Sequence, residues 1–301
     1  LIVLLAGLFL LLQLAPGDTV DALMAQAGGG DAVMAAELRR FYGLDLSVPE
    51  RLATYLWRLV RLDLGFSAIY NKPVAEVILE RLTPTLLLMI SALSLAFAAG
   101  MALGILAARR VNGWPDTIIS TLGLIFYATP SFWFGLMGIV VFAVHLAWLP
   151  PGGFPGWSDP WLAARSLVLP TIALALVQSA VLARVTRSSA LEVMRLDYVR
   201  TARATGFSRG RVLWRHVLPN ALVPIVTIVG MQFAAVVTGT IVIENVFYLP
   251  GLGRLIFQSI ANRDLPTVQA LVMMFAAIVV TANFIVDILY VMIDPRLKGR
   301  K

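Results

Sequence analysis

Residues 197–220 read DYVRTARATGFSRGRVLWRHVLPN, and this stretch holds five arginines between two apolar runs, each long enough to cross a bilayer. Its first nine residues are helix-competent and continue a basic helix over 182–196. Gly206 then breaks or caps the helix, and Ser208 sits where an N-cap would restart one. Headgroup-facing loop arginines would explain the charge. They would not explain a long, helix-forming, glycine-punctuated loop, so the rest of the chain has to say what it is for.

Hydrophobic residues make up 59% of the 301 and charged residues 14%, at a mean hydropathy of +0.84. A soluble domain carries about a quarter charged residues, so the chain reads as an integral membrane protein. It has no cysteine, hence no disulfide or thiolate chemistry, and its two histidines, His145 and His216, argue against a histidine metal site. No nucleophile–base pair or ligand cluster points to an enzyme.

A spanning helix needs about 20 mostly apolar residues. Five segments qualify, at 83–108, 117–149, 167–188, 219–243 and 267–293. A sixth run, 1–14, would rise only about 21 Å against about 30 Å of hydrocarbon. It is expected to be the end of a first span whose start is missing, giving six spans; a signal-peptide remnant would show a basic leader and a cleavage site. The expected fold is all-α, divided into a partial first helix (1–14), an extracytoplasmic region (15–82) and a core transmembrane domain (83–301) with its loop at 189–218.

Lysine and arginine set the orientation. Arg109–Arg110, the 184–218 segment and the tail DPRLKGRK hold 14 basic residues against four acids (Asp116, Glu192, Asp197, Asp294). The opposite segments, 15–82, 150–166 and 244–266, hold 10 basic and 12 acidic residues. The first set is expected in the cytoplasm with both chain ends. The net charge of +7 is then a topology signal, and no nucleic-acid partner is needed to explain it.

The 15–82 region is patterned as helices at AVMAAELRRFYGL and VPERLATYLWRLVRLDLG. Leu52, Tyr55, Leu56, Leu59 and Leu62 recur at spacings of three and four, with Arg51, Arg58 and Arg61 on another face. Two compatible readings stand: a lid on the membrane domain, or a docking surface for an external partner in which these arginines take part.

Inside the spans, Pro130 in YATPSFWFG predicts a kink or break, and Pro224 a disturbance at the start of the fifth segment. Broken helices at membrane depth are tolerated where they line a cavity or are buried in protein. Phe126, Tyr127 and Pro130 at the break, with Gln232 and Thr238 in the fifth segment, are the candidate lining of a path. Glu244 and Asp287 are the ionisable groups within or at the edge of spans. For Asp287 a hydrogen-bonded packing role is preferred over a proton-carrying one.

The arginine stretch resembles the cytoplasmic loop of ABC importer membrane subunits, which has the form E-A-A-x-x-x-G, nine residues, then I-x-L-P. Here Gly206 is followed by nine residues and then His216, Val217, Leu218 and Pro219, and the E-A-A positions are Arg200, Thr201 and Ala202. The acidic and isoleucine positions differ. RTARATG, with PGD, DLG, PSFWFG, PGLGRL and DPR elsewhere, looks like the dipeptide/oligopeptide/nickel branch. The large outer region after one span is similar to the first of that branch's two permeases.

The resemblance implies a passive half-channel in the bacterial inner membrane with the type I ABC importer fold. A soluble binding protein would deliver substrate from outside, a second, different permease would complete the path, and two ATPase subunits would drive it. The helix ending at Gly206 would be the coupling helix, with Arg200, Thr201, Ala202, Arg203, Gly206, Leu218 and Pro219 as its coupling residues. ATP and magnesium would sit on the partners, since this chain has no G-x-x-x-x-G-K-[ST] and so no cofactor site of its own. Di- or oligopeptides are the expected substrate, with nickel chelates, glutathione and cell-wall peptides as alternatives. A self-contained carrier or channel is the competing class, and it predicts a repeat or coupling-ion acids.

Overall fold

The computed structural model describes residues 6–7, 9–10, 19–26 and 32–293, side chains at 22, 25, 26, 287 and 289–293 excepted. The 1–14 run as a span and the Asp287 side chain therefore lie outside the described residues. Three short helices come first, α1 (Thr19–Gln26), α2 (Ala32–Phe41) and α3 (Val48–Val60), then an antiparallel hairpin of β1 (Phe66–Ser67) and β2 (Lys72–Pro73). Helix α4 (Val74–Arg109) follows, then α5 (Trp114–Ala128) and α6 (Ser131–Gly138), which runs on as a π-turn over Ile139–His145. Next are α7 (Pro160–Met194), α8 (Asp197–Ala204) and α9 (Arg209–Val212), and a second π-turn (Leu213–Val217) feeds α10 (Leu218–Val246). Helices α11 (Leu252–Ala261) and α12 (Leu265–Ile293) complete the order.

Four apolar helical stretches are long enough to cross a membrane: α4, α7, α9 through α10, and α12. The bent pair of α5 with α6 and its π-turn makes a fifth if it is one span. These are the five segments of the sequence with shifted ends: α4, α7 and α9 through α10 run longer at both ends, while the bent pair stops at His145. Helix α4, at 36 residues, is about 54 Å long and outreaches the hydrocarbon.

The chain forms two units, one of Leu1–Thr85 with Pro250–Ile278 and one of Leu86–Leu249 with Val279–Lys301. This grouping places Pro250–Ile278 with the residues before Leu86. The cause is a set of long-range polar contacts inside the first unit. The Ser67 and Thr267 hydroxyls both donate to Asp264 Oδ2, and the Leu252 amide donates to Thr85 Oγ1 at 2.8 Å. Arg81 donates to Gln258 Oε1 at 3.1 Å and lies over the Tyr70 ring. The hairpin, which the all-helical reading did not include, delivers Ser67 to this set. Helix α3 is capped by the Ser47 backbone amide donating to the Glu50 carboxylate at 3.0 Å. Leu52, Tyr55, Leu56 and Leu59 are half-buried, whereas Leu62 lies beyond the helix end at φ 57° and is exposed.

In the second unit α7 is the hub. Its apolar window is 61% buried, against 28% for each of the other three long spans. Close pairs fix the directions of its neighbours. Along α4 the contacts run Ser91–Thr171, Gly100–Leu182 and Gly104–Thr186, so α4 and α7 are parallel. Along the bent pair they run Asp116–Arg187, Gly123–Ala180, Gly135–Ala173 and Gly138–Leu169, so it is antiparallel to α7. Helix α10 is antiparallel too, with Gly239 against Leu174 and Ile225 in a cluster with Leu182. Gly100 and Gly104 set the α4–α7 distance. A Cβ on Gly100 would lie 2.5 Å from Leu182 Cβ, and one on Gly104 would lie 2.6 Å from Ala183 O. This is a small-x-x-x-small contact, in which bare backbone lets two helices touch.

Candidate functional site

Pro130 does what its chemistry predicts. Helix α5 ends at Ala128, Pro130 stands as the residue before α6, and the two halves meet at 98°. Phe126 packs edge-on against Phe134 at 5.5 Å, and Arg184 of α7 lies 5.6 Å over the Tyr127 ring. The structure thus gathers Phe126, Tyr127 and Pro130 at the break. Gln232 and Thr238 lie on α10, and no bond or ring contact joins them to the break among the described residues. Gln232 Nε2 is buried without a hydrogen-bond partner, while Thr238 is exposed and bonds back to Ala234 O. Pro224 leaves α10 unbroken. The irregularity comes earlier, in the π-turn before Pro219. A proline there removes a donor and crowds the carbonyl four residues back, and the wider turn relieves both.

The arginine stretch is built on that π-turn. Helix α8 is eight residues long, with Asp197 in its first turn and Arg203 in its last, the arrangement its dipole favours. Val199 and Ala202, three apart on one face, are buried in a cluster with Ile105 and Ala108 of α4 and Ala190 and Val193 of α7. Val212, Leu213, Val217, Leu218 and Ala221 complete it. Ala202's small size therefore lets α8 seat on its own chain, not on an outside surface, and Leu218 is a core residue too. The opposite face, with Arg200, Thr201 and Arg203, is exposed. The Arg200–Asp197 pair at 3.5 Å is open to solvent on both sides and holds little.

Gly206 ends α8 at φ +87°, a region glycine enters without penalty. Its amide donates to Arg203 O at 3.1 Å. Beyond it Ser208 accepts from the Arg211 amide and starts α9. Phe207 stacks on His216 at 5.8 Å. The Tyr198 hydroxyl and the Asn220 side-chain amide both donate to His216 O, at 3.3 and 2.9 Å, tying α8 to the foot of α10. Burial raises the Tyr198 phenol above its ordinary value, so it stays a donor at neutral pH.

Arg51 and Arg58 line one cavity of about 570 Å³ in the first unit. Arg61 lies elsewhere, 4.7 Å over the Trp57 ring. Glu244 is fully buried on α10. Two features escaped the sequence reading. One is the Asp116–Arg187 ion pair between α5 and α7, whose partners are 71 residues apart. The other is the glycine pair at 100 and 104, which a G-x-x-x-G inside an apolar run would have flagged.

Residues 100–299 match the family described as binding-protein-dependent transport system inner membrane component. A Brucella abortus (strain 2308) protein named as a peptide transport system permease is 41% identical over 293 residues, 96% of this chain and 92% of its own length. The glutathione transport system permease protein GsiC of Pectobacterium atrosepticum is 38% identical over 298 residues, covering 99% of this chain and 94% of its own. Among solved structures, a chain of the inward-facing MetNI methionine ABC transporter aligns at TM-score 0.62 and 16% identity, over 74% of this chain and 98% of its own. A chain of an amino acid ABC transporter aligns at TM-score 0.56 and 16% identity, over 72% and 94%. At that identity the likeness is one of fold, the type I ABC importer fold. The protein therefore spans the membrane several times and belongs to the family of binding-protein-dependent transport system inner membrane components.

Proposed function

We propose that this chain is one of two different permeases in an ATP-driven importer of short peptides. The observation that carries the coupling role is α8: a short helix with one face sealed into the ends of α4, α7 and α10 and the other left open. A helix seated on three spans passes a push from an outside subunit directly into them. Two separate ATPase subunits would receive its open face, with ATP and magnesium bound there. The basic bias of the 184–218 segment supports placing this end, and both termini, in the cytoplasm. The break at Pro130 would border the path, with Phe126, Tyr127, Gln232 and Thr238. The region before α4, with Arg51, Arg58 and Arg61, would receive a soluble binding protein. Peptide chemistry is favoured because relatives named for peptide and for glutathione, itself a tripeptide, match at similar identity over nearly the whole chain.

The test is reconstitution with the neighbouring permease, ATPases and binding protein, with Arg203→Cys probed by a short thiol cross-linker. ATP-dependent peptide uptake and a cross-link to an ATPase are expected. Uptake by this chain alone, driven by an ion gradient, would replace the reading with a secondary carrier.

A further inference from the structure

The cavity of about 570 Å³ in the first unit is used by nothing described so far beyond two of its arginines. Its volume is that of a small-ligand pocket, and its walls are of three kinds. Arg40, Arg58 and Asp63 bring charges of both signs. Phe41 and Phe66, edge-on at 6.4 Å, bring an apolar wall, and Phe41 is 61% exposed. Tyr55 brings a hydroxyl that is buried and has no hydrogen-bond partner among the described residues.

These charges are not spent on each other. Arg58 and Asp63 approach only to 3.9 Å, and both are half exposed, a pair worth little. No acid pairs with Arg40 among the described residues. An orphan hydroxyl costs free energy that a ligand acceptor would recover. Cations, one anion and an aromatic wall in a single cavity match a molecule with a carboxylate, an ammonium and an apolar side chain. Binding-protein docking alone would not call for an enclosed orphan hydroxyl.

We infer that this cavity is a binding site for a short zwitterionic peptide. The peptide carboxylate meets Arg40 and the Tyr55 hydroxyl, its ammonium meets Asp63, and an apolar side chain lies against Phe41 and Phe66. The site's lining shares no residue with the Pro130 break. It would let the permease hold substrate without the binding protein. The inference rests on the peptide-importer reading for its choice of ligand.

The probe is the dipeptide Ala-Phe, titrated calorimetrically into the detergent-solubilised permease–ATPase complex without binding protein. Saturable binding is expected. It should weaken by about tenfold or more in Arg40→Gln, the loss of one charge-assisted hydrogen bond, and by a smaller factor in Tyr55→Phe, which keeps the ring. Acetylating the amino end or amidating the carboxyl end should weaken it likewise. No saturable binding, or equal affinity in both variants and for blocked peptides, would overturn the inference. So would a result in which Arg40→Gln spares Ala-Phe binding but lowers affinity for the binding protein, which would make the cavity a protein-docking site. Peptide uptake by the full system, measured in parallel, tests the importer reading separately.

Discussion

Arg187 of α7 forks onto both oxygens of Asp116 in the first turn of α5, Nε to Oδ1 at 2.5 Å and Nη2 to Oδ2 at 2.7 Å. The Asn112 amide adds a third bond to the same carboxylate at 2.9 Å. Asp116 is nearly sealed, at 6% side-chain exposure against 30% for Arg187. The pair fixes where the bent span starts relative to α7, about two turns before α7 hands over to α8.

Removing Arg187 leaves the sealed Asp116 carboxylate alone, and removing Asp116 leaves Arg187 unpaired but partly in reach of solvent, so the first loss costs more. Asp116→Ala should lower the unfolding midpoint of the solubilised complex clearly, and Arg187→Lys should do so in part, since lysine has no fork. The exchanged pair, Asp116→Arg with Arg187→Asp, should recover part of the loss. Single variants as stable as wild type would mean that the pair holds nothing.

The α4–α7 contact makes a steric prediction. Gly104→Ala puts a methyl group 2.6 Å from both Ala183 O and Thr186 Cβ, so the helices must part, at about 1–3 kcal/mol. Gly210→Ala is the control, because a Cβ there meets nothing within 4 Å. Yield and thermal midpoint should fall for the first and hold for the second. Equal behaviour would contradict the close contact.

Asp264 predicts a pH dependence. Burial raises its carboxyl above the ordinary value, against the hydrogen bonds of Ser67 and Thr267. The folded state then holds the proton more tightly than the unfolded chain. The stability so gained is full below the usual carboxylate range and is lost as pH rises through the raised value. Asp264→Asn keeps an acceptor for both hydroxyls and removes the ionisation. The variant's midpoint should therefore gain on wild type as pH is raised from about 4 to about 8. A difference that stays flat or shrinks would show that Asp264 is not held protonated.

The long spans and the break were legible because they depend on local chemistry: apolar runs set the helices and Pro130 set the bend. The arginine loop was legible through its glycine and its spacing, but not the direction of its side chains. Ala202 looks like a surface residue until α8 is seen packed on α4 and α7, because eight residues carry too little periodicity to fix a face. The grouping of Pro250–Ile278 with the first segment rests on Ser67–Asp264 and Thr85–Leu252, which are 197 and 167 residues apart. No local pattern records such bonds. The Asp116–Arg187 pair was hidden for the same reason, with both residues counted only as charges on one side of the membrane.

The coupling role proposed for α8 is tested most directly at Gly206. Valine there has open space around its Cβ but must hold φ +87°, which a β-branched residue resists. The spans and the buried face of α8 are untouched, so insertion and permease pairing should survive. Uptake and binding-protein-stimulated ATP hydrolysis are measured side by side in proteoliposomes of the whole complex. The account predicts that Gly206→Val loses most uptake while hydrolysis is either unstimulated or uncoupled from transport, and that Gly206→Asn, which tolerates positive φ, keeps more of both. Wild-type uptake and wild-type stimulation in Gly206→Val would contradict it.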